Sequence, residues 1–359
     1  MKKTRSLFVA LILFLVTVCH ANSMEFKNIV VFGDSLSDSG NFFKVSDGAY
    51  PPGACYEGRY SDGPVWFEYL AKDIGVTGLA LNYAYIGAQT GNINFDDKRL
   101  DESMRPFPGF LDEIKGYLDL AAIAQKYPVT FAMPEDTLFL IWIGGNDFWG
   151  ITGPEDAEAR IKTAALNIQT GLSQLISAGA SKFFVMNLPD LGKTPDFNTD
   201  AMTSAMASQL AAGYNQALEQ VLSGMESAYT NITITRFDSI AMLDDFITNA
   251  EAFGFTNTSV GKWNRSDDTI AEGNYIFWAG SHPTTFTHKL LAKKVAAVIN
   301  CENCKGNMMP SVSTDDLSIT VPSATIGDDS YGFTLVPYPN PDQQGYFWTL
   351  DMSNPPVKN

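Results

Sequence analysis

Four short apolar runs, Phe26–Phe32, Thr137–Ile143, Lys182–Leu188 and Ile232–Phe237, are separated by segments whose apolar residues recur at helical spacing. Continuous apolar runs of this length suit strands buried on both faces, which is the habit of parallel sheets. The intervening helical patterns cover Pro154–Ala178 and Ala201–Ala228, and a last one runs from about Thr284 to Ile299 with Leu290, Leu291, Val295 and Val298 on one side. A shorter helix is expected at Phe110–Leu120 within the looser tract from Gly87 to Pro134. Strands alternating with helices predict a three-layer α/β/α domain with a mainly parallel sheet. In such sheets ligands bind beyond the carboxyl ends of the strands, where Ser35 and the Gly144 tract both fall.

The flanks have a different character. Lys2, Lys3 and Arg5 precede an apolar run, Leu7 to Val18, too short to span a bilayer comfortably, and Cys19-His20-Ala21 offers a cleavage site. Residues 1–21 therefore read as a secretory signal, residues 22–305 as the main domain, and residues 306–359 as a β-rich extension short of helix formers. No later segment reads as a membrane helix, so an exported, soluble product is expected. Losing the three leader cations moves the net charge from −16 to −19. So acidic a chain is repelled by nucleic acid and gains nothing from anionic headgroups, while zwitterionic or neutral lipid surfaces stay open to transient contact.

After export three cysteines remain, Cys55, Cys301 and Cys304. Cys301-Glu302-Asn303-Cys304 has the spacing of half a zinc site without a second half, so a disulfide is the expectation, within the pair or to Cys55. Histidine is scarcer still: beyond His20 in the leader there are only His282 and His288. A serine nucleophile needs a base, and imidazole is the usual one near neutral pH. His288 falls inside the last helical pattern, where a packed or solvated role suffices.

The turn after the first strand, Phe32-Gly33-Asp34-Ser35-Leu36, resembles the opening block of the GDSL, or SGNH, hydrolases. Three further blocks follow in that family's order. Asn82-Tyr83-Ala84-Tyr85-Ile86-Gly87-Ala88 resembles the block whose glycine supplies a backbone N–H to an oxyanion hole. Ile143-Gly144-Gly145-Asn146-Asp147 resembles the one whose asparagine supplies a side-chain N–H. Phe277-Trp278-Ala279-Gly280-Ser281-His282-Pro283-Thr284 resembles the histidine block. Each tract alone suits an ordinary turn or helix start, but turn chemistry accounts for neither their order nor their place at strand ends.

The resemblance implies a flavodoxin-like α/β/α fold, Ser35 as nucleophile, His282 as general base and acid, and Gly87 and Asn146 with the Ser35 N–H as oxyanion donors. It implies no metal or organic cofactor. Ala279 departs from the pattern, because it stands where the family carries the aspartate that orients the histidine. The preferred expectation is that the carbonyl of residue 279 or a bound water or anion does that work; the other outcomes are a carboxylate of the preceding loop, Asp267 or Asp268, and a slow or inactive enzyme. The long insertions and export signal resemble the secreted bacterial branch of phospholipases A, lysophospholipases, haemolysin-like enzymes and glycerophospholipid–cholesterol acyltransferases. That implies a lipid acyl-ester substrate, with acyl transfer to a sterol as an extension. The alternatives are a short-chain or carbohydrate acetyl esterase and, in another class, a non-catalytic binding protein on a decayed hydrolase scaffold. Phe42, Phe43, Trp142, Phe148 and Trp149 would suit an acyl chain, although ordinary core packing is the better expectation for most of them.

Overall fold

The computed structural model describes residues 26–98, 106–127 and 129–300, together with strand backbones within residues 311–358. The leader, Cys301 and Cys304 lie outside the described residues, and with them the expected cleavage and the partners of the expected disulfide. Among the described residues Cys55 is buried and has no disulfide partner.

Five strands, β1 (Asn28–Gly33), β2 (Ala80–Asn82), β3 (Thr137–Trp142), β4 (Lys182–Met186) and β5 (Thr233–Phe237), form one sheet in the order β2-β1-β3-β4-β5. Every pairing in it is parallel. Strand alternation divides the apolar runs between the two faces. Val30, Phe32, Phe139, Ile141, Phe183 and Val185 pack on one side with Ile114 and Tyr117 of α3 (Phe110–Ala124), Ile168 and Leu172 of α4 (Pro154–Ser177), and Tyr214 and Leu218 of α5 (Ala201–Ala228). Ile29, Val31, Leu138, Leu140, Phe184 and Met186 pack on the other with Trp66 and Leu70 of α2 (Trp66–Asp73), Leu243 and Phe246 of α6 (Ser239–Thr248), and Leu291 and Val295 of α8 (Thr285–Asn300). The three layers follow from those two cores.

Two helices outside the apolar-run reading are explained by local caps. Asp238 accepts from the N–H groups of Ile240 and Ala241 to start α6, and Glu68 accepts from the Val65 N–H to start α2. Strand β2 has only three residues, none fully buried, so it carries no apolar signature. Short helices α1 (Asn41–Val45) and α7 (Ala250–Phe253) complete the helical set among the described residues.

Beside the main sheet, β6 (Asn257–Gly261) pairs in parallel with β9 (Tyr275–Ala279), and β9 pairs antiparallel with β10 (His282–Pro283). A small hairpin of β7 (Trp263–Asn264) and β8 (Thr269–Ile270) lies between them in sequence. This satellite carries His282. In the extension, β11 (Ser311–Val312), β12 (Ile319–Ile326), β13 (Asp329–Pro339) and β14 (Tyr346–Leu350) pair in that order with β15 (Val357–Lys358) against β13.

Candidate active site

Ser35 sits in the turn that follows β1. Asp34 closes it, accepting from the N–H groups of Ser37 and Asp38 through its carbonyl and from Leu36 through its carboxylate. Glycine is required just before, at Gly33, because a Cβ there would lie 2.5 Å from the Trp142 carbonyl oxygen of β3. Asp38 accepts from the N–H groups of Gly40, Asn41, Phe42 and, across the sequence, Ile86. That last bond joins the serine turn to the Gly87 loop. Glu113 of α3 makes a second junction, accepting from Gly33 N at 2.9 Å and Tyr85 N at 3.2 Å.

The Gly87 loop adopts a left-handed backbone at Gly87, φ 78°, and any Cβ there would sit 2.4 Å from Asn94 Oδ1. Asn146 approaches this loop from the end of β3, its Nδ2 donating to the Ala88 carbonyl at 3.0 Å. Gln89 Nε2 donates back to the Asn146 carbonyl, and Asp147 accepts from Thr90 N and Oγ1. The two loops are therefore stitched together next to Ser35.

Burial shapes the electrostatics of this region. Asp34 is pushed up to about 7, Asp38 to about 6 and Asp147 to about 6, each chiefly by desolvation, with backbone or side-chain hydrogen bonds opposing. Desolvation also holds Glu113 well above the usual carboxylate range.

His282 Nε2 lies 2.8 Å from Ser35 Oγ, although 247 residues separate the two in sequence. Its Nδ1 lies 3.1 Å from the Ala279 carbonyl oxygen. A carbonyl can only accept, so Nδ1 carries the proton and Nε2 presents its lone pair to the serine hydroxyl. That tautomer is the one a general base needs. Asp267 accepts from Thr269 and Asp268 from Trp263 Nε1, so both carboxylates are engaged within their own loop. The Ala279 side chain faces an apolar cluster with Phe42, Cys55, Tyr60, Trp263 and Trp278. His288 is buried in α8, and desolvation pushes its pKa down to about 3, so it stays neutral.

Among the five aromatics singled out in the sequence, Phe42, Trp142 and Phe148 belong to the core, whereas Phe43 and Trp149 are partly exposed. Trp149 joins a ladder of rings, with Phe95 at 5.8 Å and Phe197 at 5.1 Å between centroids. Residues that sequence reasoning passed over also converge here. Tyr60 stacks on the His282 imidazole with centroids 3.8 Å apart, and Asp196 accepts from Ser281 N and Oγ beside it. The Gly58-Arg59-Tyr60-Ser61-Asp62-Gly63-Pro64 stretch has the composition of any loop, and only its placement marks it out.

Curated relatives include the thermolabile hemolysin of Vibrio parahaemolyticus, 29% identical over 290 residues, which cover 76% of this chain and 63% of that protein. The chain thus spans just under two thirds of the hemolysin's own length. A phosphatidylcholine-sterol acyltransferase of Aeromonas hydrophila is 28% identical over 357 residues, covering 91% of this chain and 98% of the relative. Among solved structures, an acetylxylan esterase from Geobacillus stearothermophilus aligns with TM-score 0.40 and 14% identity, over 76% of this chain and 94% of that one. Residues 29–295 match the sequence profile of the family described as GDSL-like Lipase/Acylhydrolase. With its three-layer α/β fold and this match over most of its length, the chain belongs to the GDSL lipase/acylhydrolase family of carboxylic ester hydrolases.

Proposed function

We propose that this chain is a secreted serine esterase that hydrolyses acyl esters of phospholipids or lysophospholipids. The observation that carries the reading is the relay from the Ala279 carbonyl through the imidazole of His282 to Ser35 Oγ, at 3.1 and 2.8 Å. Ser35 Oγ attacks the ester carbonyl carbon while His282 Nε2 takes its proton. The carbonyl oxygen becomes an oxyanion that receives the N–H groups of Ser35 and Gly87 and an amide N–H of Asn146. His282 returns its proton to the departing alcohol, leaving the acyl group on Ser35. Water, activated by the same imidazole, releases the fatty acid, and a sterol hydroxyl in place of water would yield a sterol ester instead. In that second half His282 takes the proton of the attacking water or hydroxyl and gives it to Ser35 Oγ as the acyl–serine bond breaks, so charge and protons balance over Ser35, His282, the ester and the acceptor.

Two observations support a lipid acyl chain over an acetyl group. One relative described above is named a phosphatidylcholine-sterol acyltransferase. The ring ladder through Trp149 starts at the residue that follows the helical turn bearing Asn146, one of the proposed oxyanion donors. Among the described residues no helix is long and apolar enough to cross a membrane. Export would be directed by residues 1–21, which are removed in the process.

The test is fatty-acid release from lysophosphatidylcholine by the mature protein, beside Ser35→Ala. Release that disappears in the variant is expected. No release from the unmodified protein, with rapid cleavage of short acetyl esters, would instead favour the acetyl-esterase reading. Inertness toward both, and toward a serine-reactive phosphonate, would leave the decayed-scaffold reading.

A further inference from the structure

An imidazole that serves as a base needs its outer nitrogen protonated and its plane held so that Nε2 points at the serine. The Ala279 carbonyl meets the first need. The hydrogen bonds at Nδ1 and Nε2, 3.1 and 2.8 Å long, fix the axis of the ring but hold rotation about that axis only weakly, because the angular preference at a hydrogen-bond acceptor is broad. The loop from Tyr60 to Pro64 lies against the histidine segment and supplies a contact that acts on the ring plane.

The Tyr60 ring lies 3.8 Å from the imidazole at an interplanar angle of 21°, and Tyr60 itself is only 4% exposed. It is backed by Tyr50, centroids 5.9 Å apart, which packs in turn on Phe42. Next along the loop, Ser61 Oγ donates to the Pro283 carbonyl at 3.0 Å, and Asp62 Oδ1 accepts from Thr285 N at 2.7 Å. Thr285 Oγ1 donates to the Pro64 carbonyl, and a Cβ on Gly63 would lie 2.6 Å from that same Oγ1. On the other side of the histidine, Asp196 holds Ser281 and pairs with Arg265 at 3.0 Å. Burial opposes the Arg265 charge, but Tyr60 and Asp196 together keep the guanidinium above its ordinary value, which links the two sides.

Resting on the serine-esterase reading above, we propose that Tyr60 is a positioning residue for His282, and that the Tyr60–Pro64 strap performs the orienting that a carboxylate beside Nδ1 would otherwise perform. The stacked ring prevents the imidazole from tilting off Ser35 Oγ. Its π face also favours the imidazolium that forms when the serine proton is taken, since a cation over an aromatic face is attracted to it. The carbonyl sets the tautomer, the strap sets the plane, and the ring face receives the charge.

The test compares Tyr60→Phe and Tyr60→Leu in the mature protein with a p-nitrophenyl ester, beside labelling by a serine-reactive phosphonate. Tyr60→Phe keeps the ring face and should stay within about threefold of the parent, whereas Tyr60→Leu should lower kcat about 10- to 30-fold with KM nearly unchanged. A role in general packing alone would lower the melting temperature without that separation between kcat and KM or rescue by phenylalanine. Unchanged kcat in Tyr60→Leu, or an equal loss in both variants, overturns the inference while a phosphonate-labelled parent leaves the esterase reading intact. A parent that neither labels nor turns over removes both. Should Tyr60→Leu fail to fold, Tyr60→Met, of similar bulk and without a ring face, carries the same expectation.

Discussion

At position 279 the difference between a carboxylate and a carbonyl is one of charge more than of geometry. The Ala279 carbonyl reaches Nδ1 and selects the tautomer that leaves Nε2 free to accept from Ser35. It brings no negative charge to stabilise the imidazolium, a contribution that an orienting aspartate supplies in serine-hydrolase triads. A carboxylate placed on this side chain would enter the cluster of Trp263, Trp278 and Cys55, where desolvation would oppose its ionisation. Asn146 offers a sharper experiment at the same scale. Its amide already donates one N–H to the Ala88 carbonyl, which aims the group and leaves the second N–H for an oxyanion. Asn146→Ala should lower kcat for ester hydrolysis by about 100- to 1000-fold with little change in KM. Steady-state kinetics on a soluble ester checks this, and a loss below about tenfold would remove Asn146 from the oxyanion hole.

Among the elements, α3 contributes more to the site than its distance from Ser35 in sequence implies. It packs Phe110, Ile114 and Tyr117 into one core and sends Glu113 to the two loops that must stay in register, through Gly33 N and Tyr85 N. Both N–H groups would lose their acceptor in Glu113→Ala, and the variant should lose about 2–4 kcal/mol of stability. Glu113→Gln keeps an acceptor for one of the two N–H groups and sets an NH2 against the other, so it should lose about half as much. Urea unfolding of the two variants decides it; equal losses would mean that packing, not the hydrogen bonds, holds the junction. The helices themselves were the most legible elements. The apolar spacing of α4 and α5 covers nearly the same residues as the helices, with Pro154 in the first turn of one and Asp200 capping the other through Met202 N and Thr203 N. Strand β2 and the satellite strands β6, β9 and β10 were not legible as a set, because their pairing is decided by what they meet in space.

For the whole molecule, the buried acids set a pH dependence of stability. Asp34 at about 7, and Asp38 and Asp147 at about 6, all lie above the ordinary aspartate value, and Glu113 is shifted in the same direction. Between about pH 4 and pH 7 the folded protein therefore holds protons that the unfolded chain has released, so this contribution is lost as pH rises. His288 acts in the opposite sense: with its pKa at about 3, its contribution is present above about pH 6.5 and lost as pH falls. Asp156, Asp200 and Asp267 are held low by hydrogen bonds from Arg160, Thr203 and Thr269, and act below about pH 4. Four raised acids against one lowered histidine should make the melting temperature fall from about pH 5 to about pH 8, and Asp34→Asn should flatten the fall. A melting curve series that shows the same slope in both proteins would count against the burial of Asp34 as its source.

Local pattern by itself determined the apolar strands, the long helices, the three-layer class and the four ordered blocks with Ser35, Gly87, Asn146 and His282. Each of those is written in neighbouring residues, through periodicity, caps and turns, and so can be read without knowing what lies across the chain. Folding alone decided which group meets Nδ1 of the imidazole, which way the ring faces, and that Tyr60, Asp196, Glu113 and Asp38 pack or bond against the serine and histidine segments at all. Those outcomes depend on pairs as distant as His282 with Ser35 and Ser61 with Pro283, 247 and 222 residues apart. No local preference encodes such contacts. They appear only when the parallel sheet brings the ends of β1 and β3 together and the satellite sheet sets β10 beside them.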